Sequence, residues 1–105
     1  MARFENKVVF LTGGATGIGR TTALAFAREG ARVAVCDVAE EAAKETVQQI
    51  TDAGGKGMFV RADVASAQDV ETAVQLTIAE FGGLHIGINN AGIEGSRDKA
   101  THEYD

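Results

Sequence analysis

The sequence has no proline, no tryptophan and a single cysteine. One cysteine cannot form a disulfide within the chain, so a small scaffold held by cross-links is excluded. Cys36 reads instead as a small core residue, and a lone thiol fits a reducing compartment. No apolar run approaches the roughly 18 residues needed to span a membrane. Residues 1–7 show no basic segment followed by an apolar one, so no secretory signal is expected and the cytoplasm is the expected location. Positive charge is also scarce. Lys and Arg total 10 against 15 Asp and Glu, giving a formal net charge of −5 and a pI of about 4.9. The basic stripe of a nucleic-acid reader is missing, so neither nucleic acid nor membrane is an expected partner. An acidic surface does not exclude an anionic ligand, because backbone N–H groups bind phosphate without Lys or Arg.

Glycine is what the sequence has in quantity: 13 residues in a chain of 105, most of them at the joints between periodic segments. That placement points to tight turns in a regular fold rather than to a linker. The length fits one domain with a small core. Lys7–Thr12 (KVVFLT), Arg32–Asp37 (RVAVCD), Gly57–Ala62 and Leu84–Asn89 read as short strands, the first two suited to burial on both faces of a parallel sheet. Between them, helices are expected from about Gly17 to Glu29, from Glu40 to Ala53, and from Ser66 to the Gly82-Gly83 stop. Ile18, Thr22, Ala25 and Phe26 form the expected inner stripe of the first helix. Ala43, Val47 and Ile50 form that of the second, and Val70, Val74, Thr77, Ile78 and Phe81 that of the third. Gly30 is placed to end the first helix in a left-handed conformation. Ser66 and Asp69 make a capping-box pattern. The order β-α-β-α-β-α-β implies parallel pairing with right-handed crossovers. Residues 93–105 are polar and aperiodic, and a loop or disordered tail is expected there.

The segment Thr12-Gly13-Gly14-Ala15-Thr16-Gly17-Ile18-Gly19 joins a strand to a helix. A helix N-terminus offers unpaired N–H groups and a positive dipole end, which together bind anions. Gly13 can make the turn, Gly17 can let the backbone approach phosphates, and Gly19 can let the helix pack close to the sheet. The spacing G-x-x-x-G-x-G is a variant of the dinucleotide fingerprint, and no Lys-Ser/Thr follows as a phosphate-binding P-loop requires. Taken alone, the segment is also compatible with a tight turn that binds nothing. Asp37 ends the second strand, 18 residues after Gly19. A carboxylate there can accept hydrogen bonds from a ribose 2′-hydroxyl and would repel a 2′-phosphate. Residues 38–42 hold no cation, which favours NAD over NADP, and Arg20 is the nearby cation that argues otherwise. Asp37 can also cap the following helix.

Together these residues resemble the short-chain dehydrogenase/reductase family. Thr12-Gly13-x-x-x-Gly17-Ile18-Gly19 looks like its cofactor loop, Asp63-Val64 like its adenine contact, and Asn89-Asn90-Ala91-Gly92 like its NNAG motif. The likeness covers residues 5–95. It implies an α/β, Rossmann-like three-layer αβα fold with a parallel sheet of about four strands, the first part of a doubly wound fold, with residues 1–105 as a single partial NAD(P)-binding domain. It implies that Gly13, Gly17, Ile18 and Gly19 border the pyrophosphate and nicotinamide ribose, and that Asp37 holds the adenosine ribose. Asp63 and Val64 would meet the adenine, while Asn90, Ala91 and Gly92 would line the ribose side. Asn89 and Thr12 would brace the sheet. Asp63 and Asn89 are also ordinary turn residues.

The family's chemistry rests on a tyrosine acid/base, a lysine four residues later and an upstream serine. Tyr104 is the sole tyrosine; Lys99 precedes it and Ser96 lies in a polar stretch, so this set is not matched, and Tyr104 is expected to pack at the start of a further helix. His85 and His102 stand apart without ligand spacing. The chain thus reads as the cofactor-binding portion of a truncated dehydrogenase, inactive alone. A stand-alone dinucleotide-binding or interaction module is the alternative, and a methyltransferase a third reading that the NNAG element and the Gly-Ile-Gly spacing oppose. The last strand is expected at an open edge, inviting self-association.

Overall fold

The computed structural model describes residues 3–90. Seven elements alternate in the expected order: β1 (Val8–Thr12), α1 (Gly17–Arg28), β2 (Arg32–Asp37), α2 (Glu40–Asp52), β3 (Lys56–Arg61), α3 (Ala67–Phe81) and β4 (Ile86–Asn89). The four strands form one parallel sheet in the order β3-β2-β1-β4. The chain steps outward from β1 to β3, then α3 carries it back past β1 to β4. Crossovers of one hand that run in opposite directions put their helices on opposite faces.

Alternation along the strands serves both faces. Val9, Leu11, Val33 and Val35 pack with Ala23, Ala27, Ala43 and Ile50 of α1 and α2. Phe10, Ala34, Cys36 and Val60 pack with Ala73 of α3, joined by Val74, Phe81 and Leu84. With a side-chain period of two, a strand covered on both sides must be apolar throughout, and all five residues of β1 are buried. The fold is the expected Rossmann-like three-layer α/β arrangement.

Two expected helix stripes are corrected. The buried residues of α1 are Gly19, Ala23 and Ala27, while Ile18 is 64% exposed. The stripe is one residue out of phase with the sequence expectation because small residues at i, i+4 and i+8 let α1 lie close to the sheet, where an isoleucine would hold it off. In α3 the buried pair is Ala73 and Thr77, and Ile78 is exposed. Helices α1 and α2 stop by the same device: Ala31 N–H donates to the Phe26 carbonyl and Gly55 N–H to the Ile50 carbonyl, six-residue closures around Gly30 and Gly54. Strand β4 begins later than expected because His85 replaces a ladder position. Its ring Nδ1 accepts from Val8 N–H at 2.9 Å, and its own N–H donates to the Val8 carbonyl. The expected tail over 93–105 lies outside the described residues. Among those described, no helix is long and apolar enough to cross a membrane.

Candidate functional site

The carboxyl ends of all four strands reach one edge of the sheet. There they present the loop after β1, Asp37 after β2, Asp63 after β3 and Asn90 after β4. The strand order reverses between β1 and β4, and a doubly wound sheet binds ligands in the crevice at such a point.

Crowding shapes the loop. Gly13 and Gly17 have φ of 74° and 58°, left-handed values that side chains resist. A Cβ on Gly19 would lie 1.8 Å from the Gly13 carbonyl oxygen and 2.8 Å from Asn90 Nδ2. The close approach expected between α1 and the sheet at Gly19 is therefore made to the loop's own backbone. Gly14 is the residue that lies against the sheet, since a Cβ there would meet Val35 Cγ1 at 2.9 Å and Leu11 Cδ2 at 3.1 Å. Sequence spacing gave no reason to single Gly14 out. Asn90 is 4% exposed, and its Nδ2 donates to the Gly13 carbonyl at 3.1 Å. Thr12 Oγ1 donates to Asn89 Oδ1 at 2.8 Å; the two are register partners across β1 and β4, the brace expected of them.

The N-terminus of α1 differs from the others. Thr16 is its N-cap, makes no side-chain cap bond, and no acid stands in the first turn. Helix α3 is capped by Ser66, whose side chain accepts from Asp69 N–H, and carries Asp69 in its first turn; α2 carries Glu40 and Glu41 there. Among the described helices α1 alone has no acid in its first turn, which suits an external anion there. An uncapped helix start beside a cradle too tight for a Cβ fits a pyrophosphate.

Asp37 is partly exposed and bridges two segments. Its Oδ2 accepts from Ala15 N–H at 3.2 Å and its Oδ1 from Ala39 N–H at 3.0 Å. The N-cap of α2 is Ala39, so the alternative capping role for Asp37 gives way to a turn that holds the glycine loop. Arg61 is its register partner on β3, and paired residues of adjacent strands share a face. That cation is hidden in the sequence by 23 intervening residues. Glu40 stands in the same corner; the hydrogen bond and charge of Lys44 hold its carboxyl below the usual range, with Arg61 adding to the effect. Asp63 is exposed. Its Oδ1 accepts from Ala65 N–H at 2.9 Å, and its N–H donates to Asp69 Oδ2 at 3.0 Å. The expected capping box is thus half made, with Asp69 reaching past Ser66 to Asp63. Val64 is 39% exposed and borders an apolar groove of about 510 Å³ on the α3 side of the sheet, together with Phe10, Val70, Val74, Leu84 and Ile88. Ala91 and Gly92 lie outside the described residues, as do Ser96, Lys99, His102 and Tyr104.

Sequence reasoning missed Thr46. It is fully buried, and its Oγ1 lies 2.9 Å from the Gly14 carbonyl oxygen and 3.1 Å from that of Ala15. It accepts from Arg20 Nε at 2.9 Å, while Arg20 Nη2 donates to the Ala42 carbonyl and pairs with Glu45. The signal available was a threonine at i+3 from Ala43 and i−4 from Ile50, on the buried stripe. Cys36 is a core residue, as expected. Burial, followed by the charges of Asp37 and Asp69, pushes its thiol from 9.0 up to about 11.

The short chain dehydrogenase family profile matches residues 7–105. The chain belongs to the short chain dehydrogenase family. It is 43% identical over 93 residues to cyclohexanol dehydrogenase of Acinetobacter sp. (strain SE19), covering 89% of this chain and 37% of that protein. It is 48% identical over 90 residues to an uncharacterized oxidoreductase of Thermotoga maritima, covering 86% of this chain and 35% of that protein. In structure it resembles a hydroxysteroid dehydrogenase from Escherichia coli with a TM-score of 0.81 and 33% identity, over 84% of this chain and 37% of that one. The chain therefore spans little more than a third of the length of these relatives.

Proposed function

We propose that the chain is the NAD(H)-binding portion of a short chain dehydrogenase that moves hydride between a nicotinamide cofactor and an alcohol or carbonyl substrate. The observation that carries this is the α1 N-terminus, uncapped and free of acid, beside a cradle where Gly13, Gly19 and Asn90 leave no room for a Cβ. In this reading the N–H groups of Thr16 to Gly19 at the start of α1 take the pyrophosphate, Gly13 borders it, and the exposed Ile18 flanks it. Asp37 takes the adenosine ribose, Asp63 and Val64 border the adenine, and Asn90, Ala91 and Gly92 line the ribose side of the pocket. The nicotinamide supplies the hydride chemistry; the described residues bind and orient. The serine, tyrosine and lysine of the family's proton chemistry are not matched by this sequence. The lone buried thiol of Cys36 suits a cytoplasmic setting.

Two observations favour NAD over NADP. In this reading the Asp37 carboxylate would repel a 2′-phosphate, and Arg20 is already engaged with Thr46, Ala42 and Glu45. A second reading, tolerance of NADP, is favoured by Arg61 in register with Asp37. Calorimetry with NAD, NADP and S-adenosylmethionine separates these readings. Heat with NAD, and weaker heat with NADP, is the expected result. No NAD binding sinks the cofactor site, and tighter NADP binding transfers the corner to Arg61. We also propose that the 105-residue chain self-associates through β4, whose outer side pairs with no described strand and which adjoins the apolar groove.

A further inference from the structure

Thr46 and Thr77 are both fully buried helical threonines, yet their hydroxyls are used differently. A helical threonine ordinarily gives its one proton to the carbonyl a turn back. Thr77 does so, with Oγ1 2.8 Å from the Ala73 oxygen. At Thr46 the corresponding Ala42 oxygen is the farthest of three carbonyls, at 3.3 Å, and Arg20 Nη2 already donates to it at 3.0 Å. Arg20 Nε fills an acceptor position on the hydroxyl itself. The proton is thereby turned across the helix interface toward the Gly14 oxygen at 2.9 Å and the Ala15 oxygen at 3.1 Å.

We propose that Thr46, set by Arg20, is the positioning residue of the cofactor loop, fixing the orientation of the Gly14–Ala15 and Ala15–Thr16 peptides. The first of these is held at both ends, its carbonyl on Thr46 and its N–H on Asp37 Oδ2. A trans peptide aims its N–H opposite to its C=O. Holding the Ala15 carbonyl on the buried hydroxyl therefore aims the Thr16 N–H away from α2, toward the open N-terminus of α1. Rotation of either peptide would present a carbonyl oxygen to the anion in place of an N–H. Glycines at 13 and 14 give the loop little resistance of its own to such rotation.

The affinity arm of the test rests on the dinucleotide reading; the exchange arm does not. Thr46→Val keeps the shape and removes the hydroxyl, Thr46→Ser restores it, and Thr77→Val is the matched loss of a buried helical hydroxyl away from the loop. Amide exchange of Ala15, whose N–H is held by Asp37, is followed in the ligand-free chain, and NAD affinity by calorimetry. Thr46→Val is expected to weaken NAD binding about tenfold and to speed exchange at Ala15 by a similar factor. Thr46→Ser recovers both, and Thr77→Val changes neither. Arg20→Met, altering a partly exposed side chain, shows the same pattern to a smaller extent and decides the matter if Thr46→Val does not fold. Unchanged exchange in Thr46→Val, or equal losses in Thr77→Val, overturns the proposal. If the unaltered chain binds no NAD, the cofactor reading fails while the exchange comparison still decides the role of Thr46.

Discussion

Adding one methyl group at Gly19 tests the architecture of the loop most directly. The new Cβ would stand 1.8 Å from the Gly13 carbonyl oxygen and 2.8 Å from Asn90 Nδ2. Relief to even a tight 3 Å contact requires the α1 start and the β1 end to separate by about 1.2 Å. The obstacle is backbone, so no side-chain rotation provides it. Overpacking usually costs ~1–3 kcal/mol, and a rigid backbone obstacle belongs at the upper end, about 3 kcal/mol. For a chain of this size each kcal/mol lowers Tm by roughly 4–8 °C, so Gly19→Ala should melt about 12–24 °C below the parent. Separation also pulls the Gly13 carbonyl from Asn90 and widens the cradle, so NAD affinity should fall more than tenfold. Gly87→Ala is the control, because a Cβ there meets nothing within 4 Å. Thermal melts and NAD calorimetry on the three proteins provide the comparison. A Gly19→Ala protein that melts with the parent and binds NAD equally well would refute the geometry of the whole corner.

Alkali should expose the thiol of Cys36. Its folded pKa lies above the unfolded value, so stability is intact below about 9.0 and declines as the pH rises toward about 11, by roughly 2–3 kcal/mol in total. Urea midpoints across that window should fall more steeply for the parent than for Cys36→Ala; parallel slopes would show that the thiol does not contribute. Light scattering should show mass rising with concentration as β4 edges pair, whereas a monomer that persists at high concentration would count against pairing through that strand.

The order of elements was legible because each strand is a short run rich in apolar residues and each helix ends at glycine. The inner faces were less so. Ile18 and Ile78 satisfy a hydrophobic period, but the sheet selects α1 by size, preferring Gly19, Ala23 and Ala27. Of the residues singled out by the family likeness, those described lie along the carboxyl edge of the sheet. What joins them was not legible: Asn90 reaches Gly13 across 77 positions, and Thr46 reaches Gly14 across 32. Arg61 meets Asp37 only through strand register. Partnerships of this kind depend on where β3 and β4 fall in the sheet, which no local pattern states.

The division of the core into two layers sets an order of events during synthesis. The buried members of the α1–α2 layer end at Ile50, and the loop's supports at Asp37 and Thr46 belong to the same early stretch. A chain emerging N-terminus first can therefore assemble the glycine loop before α3 and β4 exist. The Gly13 carbonyl must wait for Asn90, and the open side of β1 for β4. The crevice at this edge of the sheet is thus finished by the last strand described. A dinucleotide that binds only the finished crevice would draw β4 into place by mass action, making occupancy of the site a checkpoint on folding.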